Sequence, residues 1–191
     1  LALGLRGIKI HPDFQKLPID DESGIETYRA IARRGLPVLM HMGDNRYDFS
    51  SPERLTNLIR RVPDLVVIAA HFGGWNAWDQ SLAHPQPETV FYDTSSTTPM
   101  IPYDMVMRLF ETLGPERFLF GTDFPMWSPK EELARFLALG LGEDVNEKIL
   151  YGNFMKLFDL HDDTITELAA KKEELLKNSR AIDLSRGAFL E

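Results

Sequence analysis

The chain has 191 residues, 43% hydrophobic and 26% charged, which suits one soluble domain with a sizeable core. Its 21 Lys and Arg stand against 29 Asp and Glu, and the net charge of −8 argues against a nucleic-acid or anionic-membrane partner. There is no cysteine, so disulfides and thiolate-bound metals are excluded, and His and carboxylate remain as metal ligands.

A first strand is expected over residues 6–11, ending in Gly7-Ile-Lys-Ile-His11-Pro12. Residues 22–34 form an amphipathic helix that puts Ile25, Tyr28 and Ala32 on one face, with Gly35 as its stop. The second strand, 37–42, carries Pro37-Val-Leu-Met-His41-Met-Gly43. Ser51 then caps a helix that begins at Pro52 and runs to about Arg61. A third strand, 65–71, ends on His71 before Phe72-Gly73-Gly74. A fourth covers 90–95, a helix covers 103–113, and a fifth strand, 117–123, ends on Asp123. Ser128-Pro129-Lys130-Glu131 reads as a capping box opening a helix to Leu139. An apolar-faced helix is expected over 143–158 and a charge-alternating one over 163–178, while Arg180 to Glu191 carries no clear signal.

Alternating strands and helices predict parallel strands joined by helical crossovers. The steps from His11 to His41 and from His41 to His71 are both 30 residues, about one strand–helix unit. Strand alternation groups Lys9 with His11, Leu39 with His41, Val67 and Ala69 with His71, and Leu119 and Gly121 with Asp123. The small Ala69 and Gly121 would suit a crowded barrel interior. All four polar ends fall at the carboxyl termini of strands, where TIM-type barrels build active sites. An eight-strand barrel takes about 250 residues, and five strands are visible. The expected fold is therefore α/β, a partial TIM-type barrel over 1–158 with its first three units preceding Leu1, and a helical extension over 159–191.

These motifs, with Ile149-Leu-Tyr-Gly-Asn153, occur in the order found in amidohydrolases. The chain resembles the subgroup of metal-dependent hydrolases and decarboxylases related to aminocarboxymuconate-semialdehyde decarboxylase. The resemblance covers residues 5–158. It implies a divalent metal, usually zinc, with His41 as a ligand and Asp123 as a ligand or the group that activates bound water. It also implies that His71 is a general acid/base or a ligand to a second metal. The family's first strand supplies a His-x-His pair, and no His-x-His occurs in this sequence.

The residue types suit those roles. A neutral imidazole is the commonest zinc ligand, and a carboxylate beside a metal accepts a proton from water. The two glycines after His71 allow a tight turn and close approach by a ligand. Lys9 and His11 are expected to bind a substrate carboxylate, and Trp127, with Trp75 and Trp78, to wall an apolar pocket. Asp93 ends a strand without a settled face, and Arg46 reads as a solvated loop residue.

The reaction expected first is hydrolysis of a small amide, ester or lactone by metal-activated water. The alternatives are metal-dependent decarboxylation and a non-catalytic half-barrel that binds or oligomerises, since two open sheet edges invite pairing. The partners expected are a small-molecule substrate and a second copy of the chain, with no nucleic acid and no membrane. No apolar run of about 18 residues and no signal-peptide pattern occurs, so the default location is cytoplasmic.

Overall fold

A computed structural model describes residues 4–161 together with 163, 166, 167 and 170. The strands are β1 (Ile8–Ile10), β2 (Val38–Met40), β3 (Val67–Ala69), β4 (Val90–Asp93) and β5 (Phe118–Leu119). All neighbours are parallel and the order is β1-β2-β3-β4-β5, the sheet of a TIM-type barrel. The helices are α1 (Pro12–Gln15), α2 (Glu22–Ala32), α3 (Pro52–Arg61), α4 (Trp78–Ala83), α5 (Tyr103–Leu113), α6 (Pro129–Leu137), α7 (Glu143–Glu147) and α8 (Asn153–Leu157).

Register explains the core. Val38, Val67 and Val90 lie side by side across three strands, as do Met40, Ala69, Tyr92 and Phe118. All seven are buried with Leu55, Leu58, Val106, Leu109 and Phe110 from α3 and α5, so this face of the sheet is the helix side. Each large side chain buried there contributes roughly 1.5–3 kcal/mol. The next row, Lys9, Leu39, Ile68 and Phe91, faces the other way and lies outside that core.

This corrects the expected face grouping at β3. Val67 and Ala69 belong to the helix-side core, so Ala69 does not line the barrel interior. His71 reaches the interior another way. The strand stops at Ala69, and His71 and Phe72 take left-handed backbone (φ 61° and 55°) that breaks the alternation. Asp93 falls on the interior row, because its partner Leu119 adjoins the helix-side pair Tyr92 and Phe118.

Two helix expectations also change. Ser128 makes no side-chain cap bond to α6, so the capping box does not form, and Glu131 pairs with Arg135 instead. The expected helix 143–158 forms as one continuous run, α7, a π-helical turn over Lys148–Gly152, and α8, with the π turn as the departure from it.

Chain contacts divide the protein into two units, Leu1–Phe154 and Met155–Glu191. In the second, Leu160 N–H donates to Met155 O at 2.9 Å, and residues 163, 166, 167 and 170 are helical. The rest of the expected helix 163–178, and the segment 180–191, lie outside the described residues. Among the described residues no helix is long and apolar enough to cross a membrane.

Candidate active site

The residues after β1 turn at once into the short α1. Pro12 supplies its first position and puts Asp13 in the first turn. Asp13 is 6% exposed, and its Oδ2 accepts a 2.7 Å hydrogen bond from Ser50 Oγ. Burial pushes this carboxyl above the usual carboxylate range. The His11 ring is sandwiched between Phe14 (centroids 3.7 Å apart, planes within 2°) and His41 (4.0 Å, 10°). Burial, and then the charge of Lys9, lower its basicity.

His41 leaves β2 into a tight approach. At Gly43 the backbone is left-handed (φ 76°), and a Cβ there would meet Trp75 O at 2.6 Å. His41 Nε2 lies 2.9 Å from Gly43 O and 3.7 Å from Asp13 Oδ2, while Nδ1 lies 3.0 Å from His71 Nε2. Burial, reinforced by His71 and His11, pushes the His41 pKa down to about 3, so the ring is neutral at neutral pH.

His71 is held by the residues that follow β4. Asp93 Oδ1 accepts from His71 N–H (2.9 Å), Ser95 N–H (3.0 Å) and Ser95 O–H (2.6 Å). The Ser95 hydroxyl proton is thereby committed, so Ser95 Oγ accepts from His71 Nδ1–H at 2.9 Å. Trp78 Nε1 donates to His71 O at 3.1 Å and fixes the left-handed turn from behind.

Asp123 follows β5 in another left-handed position (φ 54°). Its Oδ2 accepts from Ser96 Oγ at 2.8 Å, and Ser96 Oγ in turn accepts from Trp127 Nε1 at 2.9 Å. Non-glycine residues at positive φ are uncommon, and His71, Ser96 and Asp123 concentrate three of them around one cavity. That cavity measures about 360 Å³ and lies at the carboxyl ends of the strands. A larger, polar cavity of about 560 Å³ lies beyond Asp44 and Arg46. The gathered histidines line the smaller one, so the chemistry is assigned there.

The family model for amidohydrolases matches residues 1–160. The chain belongs to the amidohydrolase family. A TIM-barrel protein of uncharacterised function from Bordetella bronchiseptica superposes with a TM-score of 0.67 at 25% identity, over 82% of this chain and 58% of that one. A putative 2-pyrone-4,6-dicarboxylic acid hydrolase from Pseudomonas putida gives 0.64 at 18% identity, over 83% and 64%. A dihydroxybenzoic acid decarboxylase from Polaromonas, with bound manganese and the inhibitor 2-nitroresorcinol, gives 0.63 at 16% identity, over 82% and 61%. The chain thus spans between 58% and 64% of the length of these structures. No curated protein matches it significantly.

In this amidohydrolase the cavity brings together Lys9, His11, His41, His71, Asp123 and Trp127, six of the residues singled out from sequence. Trp75 joins them, while Trp78 is buried behind His71. Lys9 stands between walls that lower its pKa by desolvation, opposed by Asp93 and Asp123. Arg46 also lines the cavity but is held by Asp44 through Nε (2.9 Å) and Nη2 (2.7 Å).

A resident metal fits the donors present. Among the described residues the group of three ligand side chains within 4.8 Å of one another is His11, Asp13 and His41. His11 Nδ1 and Asp13 Oδ1 are both buried without a protein hydrogen-bond partner. Asp123 is not in that group. Sequence reasoning missed Asp13, Ser95 and Ser96. The only signal for Asp13 was its place two residues after His11, and the Ser pair was marked only by following Asp93.

Proposed function

We propose that the protein is a metal-dependent hydrolase acting on a small amide, ester or lactone. The observation that carries this reading is the convergence of three histidines and Asp123 on one strand-end cavity of about 360 Å³, a size suited to a small molecule. His41 would hold the divalent metal, with Asp123 facing it from β5. When bound, such an ion lowers the pKa of water and polarises a carbonyl. Zinc is the ion the ligand types favour.

The protein's own groups divide the remaining work. Ser96 fixes the Asp123 carboxylate, which takes a proton from the attacking water. His71 keeps its Nδ1–H on Ser95, so Nε2 is the nitrogen that exchanges a proton with the substrate oxygen or leaving group. Lys9 and His11 attract an anionic substrate group, and Trp127 packs against the substrate's flat face. The substrate is small, and the location proposed is the cytoplasm.

A second reading, decarboxylation, is favoured by one feature. Phe14, Trp75 and Trp127 line a cavity that also holds Lys9, an arrangement suited to an aromatic carboxylate. The two readings separate by product. Assays on a lactone, aryl ester and hydroxybenzoate panel should show turnover that a chelator abolishes. Asp123→Asn should reduce it by about a hundredfold or more, since a positioned general base contributes about 10²–10⁴ in rate. Undiminished activity in Asp123→Asn would remove Asp123 from the mechanism. CO₂ release without hydrolysis would select the second reading.

A further inference from the structure

Asp13 has no part in the reaction proposed above, yet it is a buried carboxylate beside His11 and His41. Only Oδ2 has a partner, the Ser50 hydroxyl, and Oδ1 is buried without one. His41 Nε2, at 3.7 Å, is too far for a hydrogen bond. A buried carboxylate with one accepted hydrogen bond calls for a countercharge. His11 Nδ1, on the same turn of chain, is also buried and unpartnered.

The hydrogen bonding of His41 points to the same place. A neutral imidazole has one N–H, yet His41 has Gly43 O beside Nε2 and His71 Nε2 beside Nδ1. His71 Nε2 is a bare lone pair, because its other nitrogen donates to Ser95. With the proton on Nε2, two lone pairs would confront each other across 3.0 Å. With the proton on Nδ1, that contact becomes a hydrogen bond, but the Nε2 lone pair then meets Gly43 O at 2.9 Å. Either neutral tautomer leaves one lone-pair contact, and a cation at Nε2, on the side of Asp13, would relieve the second. Nδ1–H would then run to His71 and on through Ser95 to Asp93, the outer support that metal-bound histidines usually have.

We propose that His11, Asp13 and His41 form a divalent-cation site within this chain. The proposal shares His41 with the hydrolase reading, rests on it for nothing else, and reassigns His11 from substrate to metal. Two imidazoles and one carboxylate are the donor set of zinc, cobalt or nickel, not of calcium or magnesium. Zinc bonds of about 2.0–2.2 Å bring donor atoms to roughly 3.5 Å apart. Donors already within 4.8 Å need only side-chain adjustment to reach that. Ser50 already orients the carboxylate.

The test is calorimetric titration of the full chain, stripped by chelator, with Zn²⁺ and with Co²⁺, following the visible Co²⁺ absorption and the ion-induced rise in Tm. The parent should take up one ion. Asp13→Asn, which is isosteric and keeps the Ser50 contact, and His11→Gln should each weaken binding by about tenfold or more. Both should alter the Co²⁺ bands and lose the Tm rise, with far-UV circular dichroism reporting that the fold persists. Asp123→Asn should still bind. Parent-like binding in both Asp13→Asn and His11→Gln overturns the proposal, and if Asp123→Asn alone loses the ion, the metal reading above survives without it. A parent chain that takes up neither ion overturns both.

Discussion

A Cβ on residue 43 would sit 2.6 Å from Trp75 O and 2.7 Å from Gly74 C, in a backbone already left-handed. Neither neighbour is a side chain that can swing aside. Gly43→Ala should therefore destabilise the chain by about 1–3 kcal/mol or more, read as a lower urea midpoint at unchanged m-value. An unchanged midpoint would mean that the β2 and β3 ends do not need this approach. The same turn presents His41, whose burial has a pH consequence. Its folded pKa is about 3 against an ordinary 6.5, so below 6.5 the unfolded state binds the extra proton. Stability should therefore fall as pH drops from about 6.5 toward 3, by a few kcal/mol in order of magnitude. Asp13 acts oppositely: its raised pKa means that protonation at low pH relieves part of its burial cost. In the metal-stripped chain, His41→Gln should flatten the loss between pH 6.5 and pH 3. Equal pH slopes for parent and variant would show that the ring is charged in the fold. His11, His41, His71 and Asp123 were legible because each ends an apolar run. Asp13 was not, because its hydrogen-bond partner Ser50 lies 37 residues away.

Capping separates α3 from α6, although both open with Ser-Pro. Ser51 accepts from Arg54 N–H, whereas Ser128 makes no cap bond and Glu131 turns to Arg135. Ser51→Ala should cost about 0.5–1 kcal/mol and Ser128→Ala less than about 0.5, by urea denaturation of each single variant. Equal losses would mean that the α6 cap forms in solution. The five strands and the helices α2, α3, α5 and α6 could be read from sequence, since burial on one face leaves a period in the chain. The four-residue α1 and six-residue α4 are too short to show one. Alternation failed past Ala69, because left-handed residues at the strand ends re-aim side chains that the strand itself would have sent to the helix side. The helix over 143–158 was legible too, but the π turn within it was not, for a tertiary reason. Asn153 Nδ2 donates to Pro115 O (2.9 Å) and Phe118 O (2.8 Å), and Ile149 O accepts from Phe120 N–H (2.9 Å), so this segment is tied to the β5 end while it winds through a π turn.

Across the whole sheet, hydrogen bonding is uneven. Among the described residues β1 pairs only with β2, and β5 only with β4. Strand edges with open N–H and C=O groups recruit further strands unless they are short, charged or covered. Both edges here are short, with three residues in β1 and two in β5, which limits how much each can bind. Apolar side chains nevertheless stand exposed near the β1 end of the sheet, Leu5 at 64% and Phe14 at 80%. Opposing them is the net charge of −8, whose repulsion between copies weakens as salt screens it. These tendencies predict self-association that grows with protein concentration and with ionic strength. Sedimentation equilibrium should show a weight-average mass rising above the monomer under both changes, and Leu5→Lys, which puts a charge beside the β1 edge, should reverse part of the rise. A monomer at every concentration in high salt would mean that the short strands protect their own edges. Association that is stronger in low salt would instead assign the contact to charge pairing, since apolar and edge contacts gain when repulsion is screened and ion pairs lose.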